Sequence, residues 1–134
     1  MIGLDTNVLV RYLTQDDPIQ SPQATRLIEQ KLSEANPGFV SVVAIVETVW
    51  VLERAYGFAA LEIATAIENA LQADALVIEN EPEVFTAMIA LKDGRGSFSD
   101  ALIAALGAKA GCRRTLTFDR KAAKLSGFVL VSAA

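Results

Sequence analysis

MIGLDTNVLV, residues 1–10, is the stretch that decides the fold of this 134-residue chain. Its apolar residues 2–4 predict a short strand, and the polar run Asp5-Thr6-Asn7 has the side chains of a turn. Residues 8–13 then predict a brief helix. A strand that leads into a helix through an acidic turn indicates an α/β fold, in which ligands bind at the carboxyl ends of the strands.

The same alternation of strands and helices continues to the end of the chain. Further strands are predicted at residues 39–41, 75–78, 115–118 and 128–131. Helices are predicted at residues 21–34, 43–56, 60–72, 82–93 and 99–110, with a short basic helix after Asp119. Ser21 and Ser99 are expected to cap the helices that they begin. This order predicts a parallel sheet with helices on both faces, in a single domain spanning residues 1–134.

The amino-acid composition excludes several kinds of active site. Histidine is absent and cysteine occurs once, at Cys112. A Ser-His-Asp triad, a Cys-His pair and a zinc site with several His or Cys ligands are therefore excluded. A metal bound by carboxylate oxygens alone would be a hard ion, and Mg²⁺ or Mn²⁺ is the expected choice for phosphate chemistry. The single thiol indicates no disulfide and fits a reducing compartment.

Two acidic residues follow predicted strands directly, Asp5 after the first and Asp119 after the fourth. The carboxyl edge of a parallel sheet is where ligands bind, so the pair indicates a shared site. Each residue could instead be only an Asx turn or a helix N-cap, which would explain either acid taken alone.

Glu47 interrupts the apolar run VVAIVETVWVL at residues 42–52. On a helix its neighbours three and four residues away are apolar, and no cation lies within one turn to pair with it. A carboxylate among apolar side chains is costly unless a positive charge meets it, and a metal ion is one such charge. The alternative is a narrow exposed stripe through Glu47, Thr48 and Arg54.

Asp100 falls in the first turn of the helix predicted to begin at Ser99, where the helix dipole alone would favour a carboxylate. Because Ser99 is expected to provide the cap, Asp100 is free to point at a pocket. Neighbouring polar groups could hydrogen-bond ligand carboxylates or metal-bound water, unless they serve only as local backbone caps. These candidates are Thr6, Asn7, Ser99 and Thr117. The acids predicted to form one metal-binding pocket are Asp5, Glu47, Asp100 and Asp119.

Charge is distributed unevenly along the chain, whose formal net charge is −4. Residues 92–134 hold eight Lys or Arg against three Asp or Glu, whereas residues 1–91 hold four against thirteen. Such asymmetry can steer a polyanion toward one face of the protein, although ordinary solvated helix ends would give the same count.

Hydropathy indicates a partner protein and no membrane span. The longest apolar stretch, residues 39–52, contains Glu47 and is too short to cross a bilayer. The N-terminus lacks the features of a secretory signal, so we expect a cytoplasmic protein. The hydrophobic fraction of 52% is high for a small monomer, and apolar surface in excess of the core usually binds a partner. Much of this fraction is alanine, which leaves an ordinary monomer open.

At this point the chain resembles a known family. The segments IGLDTNVLVRYL, SVVAIVETVWVLERAYG, FSDALIAALGAKAGC and TLTFDRKAAKL are similar to those of PIN-domain ribonucleases, in particular the VapC toxins of bacterial toxin–antitoxin pairs. The resemblance covers essentially the whole chain, and the acids occur in the expected order. It implies a five-stranded parallel sheet and an acidic Mg²⁺ or Mn²⁺ centre, with Asp5, Glu47, Asp100 and Asp119 on the family's acidic positions and Thr6 and Ser99 on nearby hydroxyl positions.

The resemblance also implies an activity and partners. The expected reaction is metal-assisted hydrolysis of RNA phosphodiester bonds, with Arg95, Arg120 and Lys121 binding the RNA backbone. A homodimer and a VapB-type antitoxin are the expected protein partners. The alternatives are a PIN nuclease outside a toxin–antitoxin system, a non-catalytic RNA-binding module, and a Mg²⁺-dependent phosphomonoesterase with Asp5 as nucleophile. For the last of these the second acid, expected two residues on, is replaced by Asn7.

Overall fold

Short parallel strands alternate with helices along residues 1–134, all of which the computed structural model describes. The strands are β1 (Ile2–Gly3), β2 (Gly38–Val40), β3 (Leu76–Ile78), β4 (Thr115–Thr117) and β5 (Phe128–Leu130). The helices are α1 (Thr6–Thr14), α2 (Gln20–Arg26), α3 (Val42–Arg54), α4 (Ala60–Gln72), α5 (Glu81–Lys92) and α6 (Phe98–Lys109). A π-helical segment (Leu27–Lys31) extends α2, and short 3₁₀ helices occupy Ala122–Lys124 and Val131–Ala133. The predicted α/β alternation is confirmed.

The chain divides into two units, Met1–Glu81 and Pro82–Ala134. In the first unit, β1, β2 and β3 form a parallel sheet in that order, with Ile2 opposite Gly38 and Gly38 opposite Leu76. Helix α1 packs against α2 and α3, and α3 packs against α4. The largest fully buried apolar side chains of this unit are Leu9, Val40, Ile45, Leu52 and Ile67. This core fixes the helices that follow β1 and β2 against the sheet edge from which they start.

The second unit contains the remaining two strands, β4 and β5, which pair in parallel with Thr115 opposite Phe128. Helix α6 contacts β4, and the loop glycine Gly96 lies so close to Leu125 that a Cβ at this position would be 2.7 Å from Leu125 Cδ1. Any side chain at Gly96 would therefore displace a buried leucine. Phe98 and Leu102 of α6 are buried in this unit.

The expectation of a five-stranded sheet is wrong, because the strands form one three-stranded and one two-stranded parallel sheet. The strands are two or three residues long, so each offers few backbone groups for a hydrogen-bonded ladder. β1, with two residues, pairs only with β2. The number of strands, their order along the chain and their parallel direction follow the prediction.

Two predicted helix caps are also wrong. Ser21 lies inside α2 and is buried, and its hydroxyl donates to the backbone oxygen of Arg11 at 2.8 Å. The side chain of Asp17 instead accepts from the backbone nitrogens of Ile19 and Gln20, at 2.9 and 2.6 Å. The sequence run Ser-Pro is typical of a helix start, but α2 already begins at Gln20, and its N-cap Ile19 offers no side-chain cap of its own.

The N-cap of α6 is Ser97 and not Ser99. The Ser97 hydroxyl accepts from the backbone nitrogen of Asp100 at 3.1 Å, in the geometry of an N-cap bonding the third helical residue. Asp100 nevertheless lies in the first turn, as predicted. None of the helices is long and apolar enough to span a membrane.

Candidate active site

Asp5 follows β1 and is the N-cap of α1. Its Oδ1 accepts from the backbone nitrogen of Val8 at 3.1 Å, so one carboxylate oxygen has the capping role that was the ordinary alternative for this residue. Asp5 is exposed, and no hydrogen bond to its Oδ2 is formed. Capping and ligand binding are therefore compatible, because they use different oxygens.

Glu47 is brought to the same sheet edge by its contact with Thr6. The hydroxyl of Thr6, the first residue of α1, donates to Glu47 Oε1 across 41 residues of sequence. Since Thr6 directly follows Asp5, this bond places a carboxylate of α3 beside the carboxyl end of β1. Thr6, predicted to hydrogen-bond a ligand carboxylate, does bond Glu47. The shared metal site of Asp5 and Glu47 stays a prediction.

A concave surface opens at this edge of the sheet. A cavity of about 470 Å³ is lined by residues that include Asp5, Thr6, Ser41 and Val43. It lies where β1 and β2 end and α1 and α3 begin, which is the position that ligands take in open parallel sheets.

The surroundings of Glu47 differ from both sequence-based interpretations. Glu47 is exposed, so the expected cost of a carboxylate buried among apolar side chains does not arise. The alternative stripe is also wrong in part, because Thr48 is fully buried and its hydroxyl has no hydrogen-bond partner. The exposed neighbours on α3 are instead Val43 and Trp50, at 74% and 59% exposure.

The N-terminus of α3, the helix that carries Glu47, is held by two side chains. Ser41 Oγ accepts from the Ala44 nitrogen at 3.1 Å, and Glu79 Oε1 accepts from the Val42 nitrogen at 2.9 Å. Glu79 is not among the residues predicted for the site. Its position immediately after β3 was the available signal, because the carboxyl ends of β2 and β3 lie side by side.

The two acids of the second unit make only local contacts. Asp100 is partly buried in the first turn of α6, with its backbone nitrogen bonded to Ser97. Asp119 Oδ1 accepts from the backbone nitrogen of Lys121 at 2.8 Å, and the Asp119 nitrogen donates to Thr117 Oγ1 at 3.0 Å. Thr117 therefore fixes the backbone of Asp119, which is the local role that hydroxyls commonly have.

The remaining predicted site residues lie on the surface. Asn7 and Ser99 are exposed, and neither forms a hydrogen bond with one of the acids. The predicted RNA-binding cations Arg95, Arg120 and Lys121 are exposed as well. Arg95 Nη2 lies 3.7 Å from Asp93 Oδ2, and both side chains are more than half exposed, so solvent weakens this ion pair.

A polar network missed by the sequence analysis connects the end of α1 to residues 16–20. Arg11 Nη1 donates to Asp16 Oδ1 at 3.2 Å and to the Tyr56 hydroxyl at 3.0 Å, while that hydroxyl donates to Asp16 Oδ2 at 2.7 Å. The hydrogen bonds from Tyr56 and then Thr14 lower the pKa of Asp16 below its usual value. Tyr56 lies 45 residues from Arg11 in the sequence, so no local sequence pattern predicts the contact.

The sequence of the chain matches a known protein family. The sequence profile of the PIN domain matches residues 2–127, which include every element from β1 to the 3₁₀ helix before β5. The chain belongs to the PIN-domain family. A VapC ribonuclease of Aquifex aeolicus (strain VF5) is 26% identical over 130 residues, covering 96% of this chain and 94% of that protein.

The carboxylates of this PIN domain fit a hard divalent ion by their chemistry. Asp5 and Glu47 are exposed, form no ion pair with a protein cation, and are oriented by a backbone amide and a hydroxyl respectively. Such oxygen donors are the ligands of Mg²⁺ and Mn²⁺. No group of three or more potential ligands that could hold a metal ion is present in the structure. The four-carboxylate centre therefore stays a prediction, to which each unit contributes two members.

Proposed function

We propose that this PIN domain is a metal-dependent endoribonuclease, and that it acts as the VapC-type toxin of a toxin–antitoxin pair. The observation that carries the proposal is the hydrogen bond from Thr6 to Glu47, because it places Glu47 against the residue that follows Asp5 at the carboxyl edge of the first sheet. The similarity to a VapC ribonuclease over 96% of the chain supports the choice of RNA as substrate.

In this mechanism Asp5, Glu47, Asp100 and Asp119 would hold one or two divalent ions, Mg²⁺ or Mn²⁺. When bound, the ion supplies an activated water and neutralises charge that develops on the phosphate. The hydrogen bond from Thr6 would keep the Glu47 carboxylate in position as a ligand. Arg95, Arg120 and Lys121 bind the phosphates on either side of the cleaved bond, so cleavage at low substrate concentration weakens as salt is raised.

The proposal includes protein partners and a cytoplasmic site of action. Exposed apolar side chains on α3, Val43 and Trp50, provide surface that a second copy or an antitoxin would cover. A monodisperse monomer in light scattering, together with no complex with the product of the adjacent gene, would remove this part of the proposal.

Replacing Asp5 or Asp100 by Asn tests the nuclease directly. We expect each variant to lose at least roughly 100-fold in RNA cleavage rate, because even residues that only support metal ligands cost 10- to 100-fold when removed. The fold should persist, since Asn is as good an N-cap as Asp and Asp100 contributes no side-chain cap of its own.

Asp74→Asn is the matched control, because Asp74 is an exposed acid outside the proposed pocket. Cleavage should be measured on a fluorescent oligoribonucleotide with Mg²⁺, with Mn²⁺ and with excess chelator, after circular dichroism has shown that every variant is folded. Full metal-dependent activity in Asp5→Asn or Asp100→Asn would refute the proposal.

A further inference from the structure

A second cavity begins at Asp5 and extends away from β1 along α1 and α2. Its volume is about 330 Å³, within the range of small-molecule sites in proteins. Its lining includes Asp5 at one end, Arg11 at the other, and the amide side chains of Asn7, Gln20 and Gln23. Apolar parts of Val8, Ala24 and Leu27 complete the wall. Neither the four acids nor the predicted RNA-binding cations account for this concentration of amides.

One of these amides is held in a fixed orientation. Arg11 Nε donates to Gln20 Oε1 at 2.9 Å, so the amide nitrogen of Gln20 remains as a donor. Arg11 is itself fixed, because its Nη1 donates to Asp16 and Tyr56. Gln23 lies three residues after Gln20 on α2, on the same side of the helix, and its side-chain amide forms no hydrogen bond within the protein.

We propose that this cavity is a specificity subsite that binds one unpaired adenine of the RNA, next to the phosphodiester bond that is cleaved. The inference rests on the proposed nuclease function, because Asp5 belongs to both sites. Single-stranded RNA exposes base edges that side chains can read, and a carboxamide presents one donor and one acceptor side by side. That pair complements N7 and the N6 amino group of adenine.

The hydrogen-bonding groups that remain free in the cavity favour adenine over guanine. Arginine is the usual side chain that reads guanine, through its O6 and N7 atoms. In this cavity the Nε and Nη1 groups of Arg11 are already engaged by Gln20, Asp16 and Tyr56. Of the Arg11 donors only Nη2 is left, which is too few for the paired contact with O6 and N7, whereas the amides of Asn7 and Gln23 are uncommitted. The apolar wall formed by Val8, Ala24 and Leu27 suits the face of a base.

The test is a comparison of cleavage sites in a randomised pool of single-stranded oligoribonucleotides, followed by kcat/KM on two oligonucleotides that differ only at the preferred position. The wild type should prefer adenine at one position beside the cut. Gln23→Leu should lower kcat/KM on the adenine substrate about tenfold and leave the poorer substrate nearly unchanged. Gln23→Glu, which replaces the amide donor by an acceptor, should shift the preference toward cytosine, whose N4 amino group donates.

Gln72→Leu is the control, since Gln72 is an exposed glutamine on α4 that does not line the cavity. An unchanged base preference in Gln23→Leu would overturn the subsite while leaving Asp5-dependent cleavage, and hence the proposed function, intact. If Gln23→Leu only weakens binding of the protein encoded by the adjacent gene, the cavity is a peptide site and the inference is wrong. Absence of any cleavage that depends on Asp5 would remove both proposals together.

Discussion

The two pairs of acids in this PIN domain are positioned by different kinds of contact. Glu47 is bound by Thr6 across 41 residues of sequence, whereas Asp119 is fixed by backbone and side-chain groups two residues away. Asp100 likewise contacts its cap, Ser97, three residues earlier. The position of Glu47 therefore depends on how α1 packs against α3, whereas Asp5, Asp100 and Asp119 depend on local turn and cap chemistry. Variants that remove one contact at a time should separate these two dependences.

The largest contrast is expected between Thr6→Val and Thr117→Val, which remove matched hydroxyls from the two regions. Thr6→Val leaves Glu47 without its orienting donor, and we expect about a tenfold weaker apparent affinity for Mg²⁺ or Mn²⁺, as for other residues that support metal ligands. Thr117→Val removes a bond to the backbone of Asp119 only, so its effect on metal affinity should be a few-fold at most. Both substitutions retain the branched shape of threonine.

Metal titrations of RNA cleavage would measure this contrast, with Thr65→Val on α4 as the control, because the Thr65 hydroxyl bonds only the backbone oxygen of Leu61. If the two site variants gave equal affinities, the bond from Thr6 to Glu47 would have no part in metal binding. The long-range contact would then be a packing feature alone.

A smaller effect, on stability, is expected from removing the caps of α3 and α6, the helices that carry Glu47 and Asp100. Ser41→Ala and Ser97→Ala each remove the side chain that bonds the third helical nitrogen, of α3 and α6 respectively. Each should lower the free energy of unfolding by about 1 kcal/mol, the usual loss for a serine N-cap. Urea unfolding followed by circular dichroism would measure both changes.

Helix α3 has a second side-chain cap, because Glu79 accepts a hydrogen bond from the Val42 nitrogen. Ser41→Ala and Glu79→Ala should be close to additive, because the two side chains bond different nitrogens. If Ser41→Ala alone left stability unchanged while Glu79→Ala lowered it, Glu79 would be the dominant cap of α3.

The sequence predicts local features of the molecule far better than contacts between distant segments. Helix α4 begins and ends at the predicted residues, and Asp5, Asp100 and Asp119 lie at the predicted strand and helix ends. These features depend on hydrophobic periodicity and on polar residues at turns, which are properties of neighbouring residues. The three-plus-two division of the strands depends instead on which backbone groups pair across the chain, and five short apolar runs do not encode that choice.

The same distinction explains the errors at individual side chains. The alternative for Glu47 placed Thr48 in an exposed stripe. Thr48 is fully buried, because the side of α3 that faces the core is set by its packing against α1 and α4. Ser21 lies inside α2, and Asp17 accepts from the first nitrogens before and in the helix, a start that the dipeptide Ser-Pro does not specify. The hydrogen bond from Tyr56 to Asp16 spans 40 residues and has no local signature.

The smallest predicted effect concerns acid stability and compares Asp16 with Asp93. Hydrogen bonds from Tyr56 and Thr14 lower the pKa of Asp16 below its ordinary value of 3.8. Because the folded-state pKa is lowered, the stabilisation is fully present above that value and is lost as the pH falls through the lower folded-state pKa. Asp16→Asn should therefore lower stability near neutral pH slightly and reduce the slope of unfolding free energy against pH below about pH 4.

Asp93→Asn, whose partner Arg95 is two residues away and largely exposed, should leave that slope nearly as in the wild type. Equal slopes in wild type and Asp16→Asn would show that the long-range network around Tyr56 adds no acid-sensitive stability. The first unit would then owe its order to apolar packing, with the polar contacts between distant segments following from it.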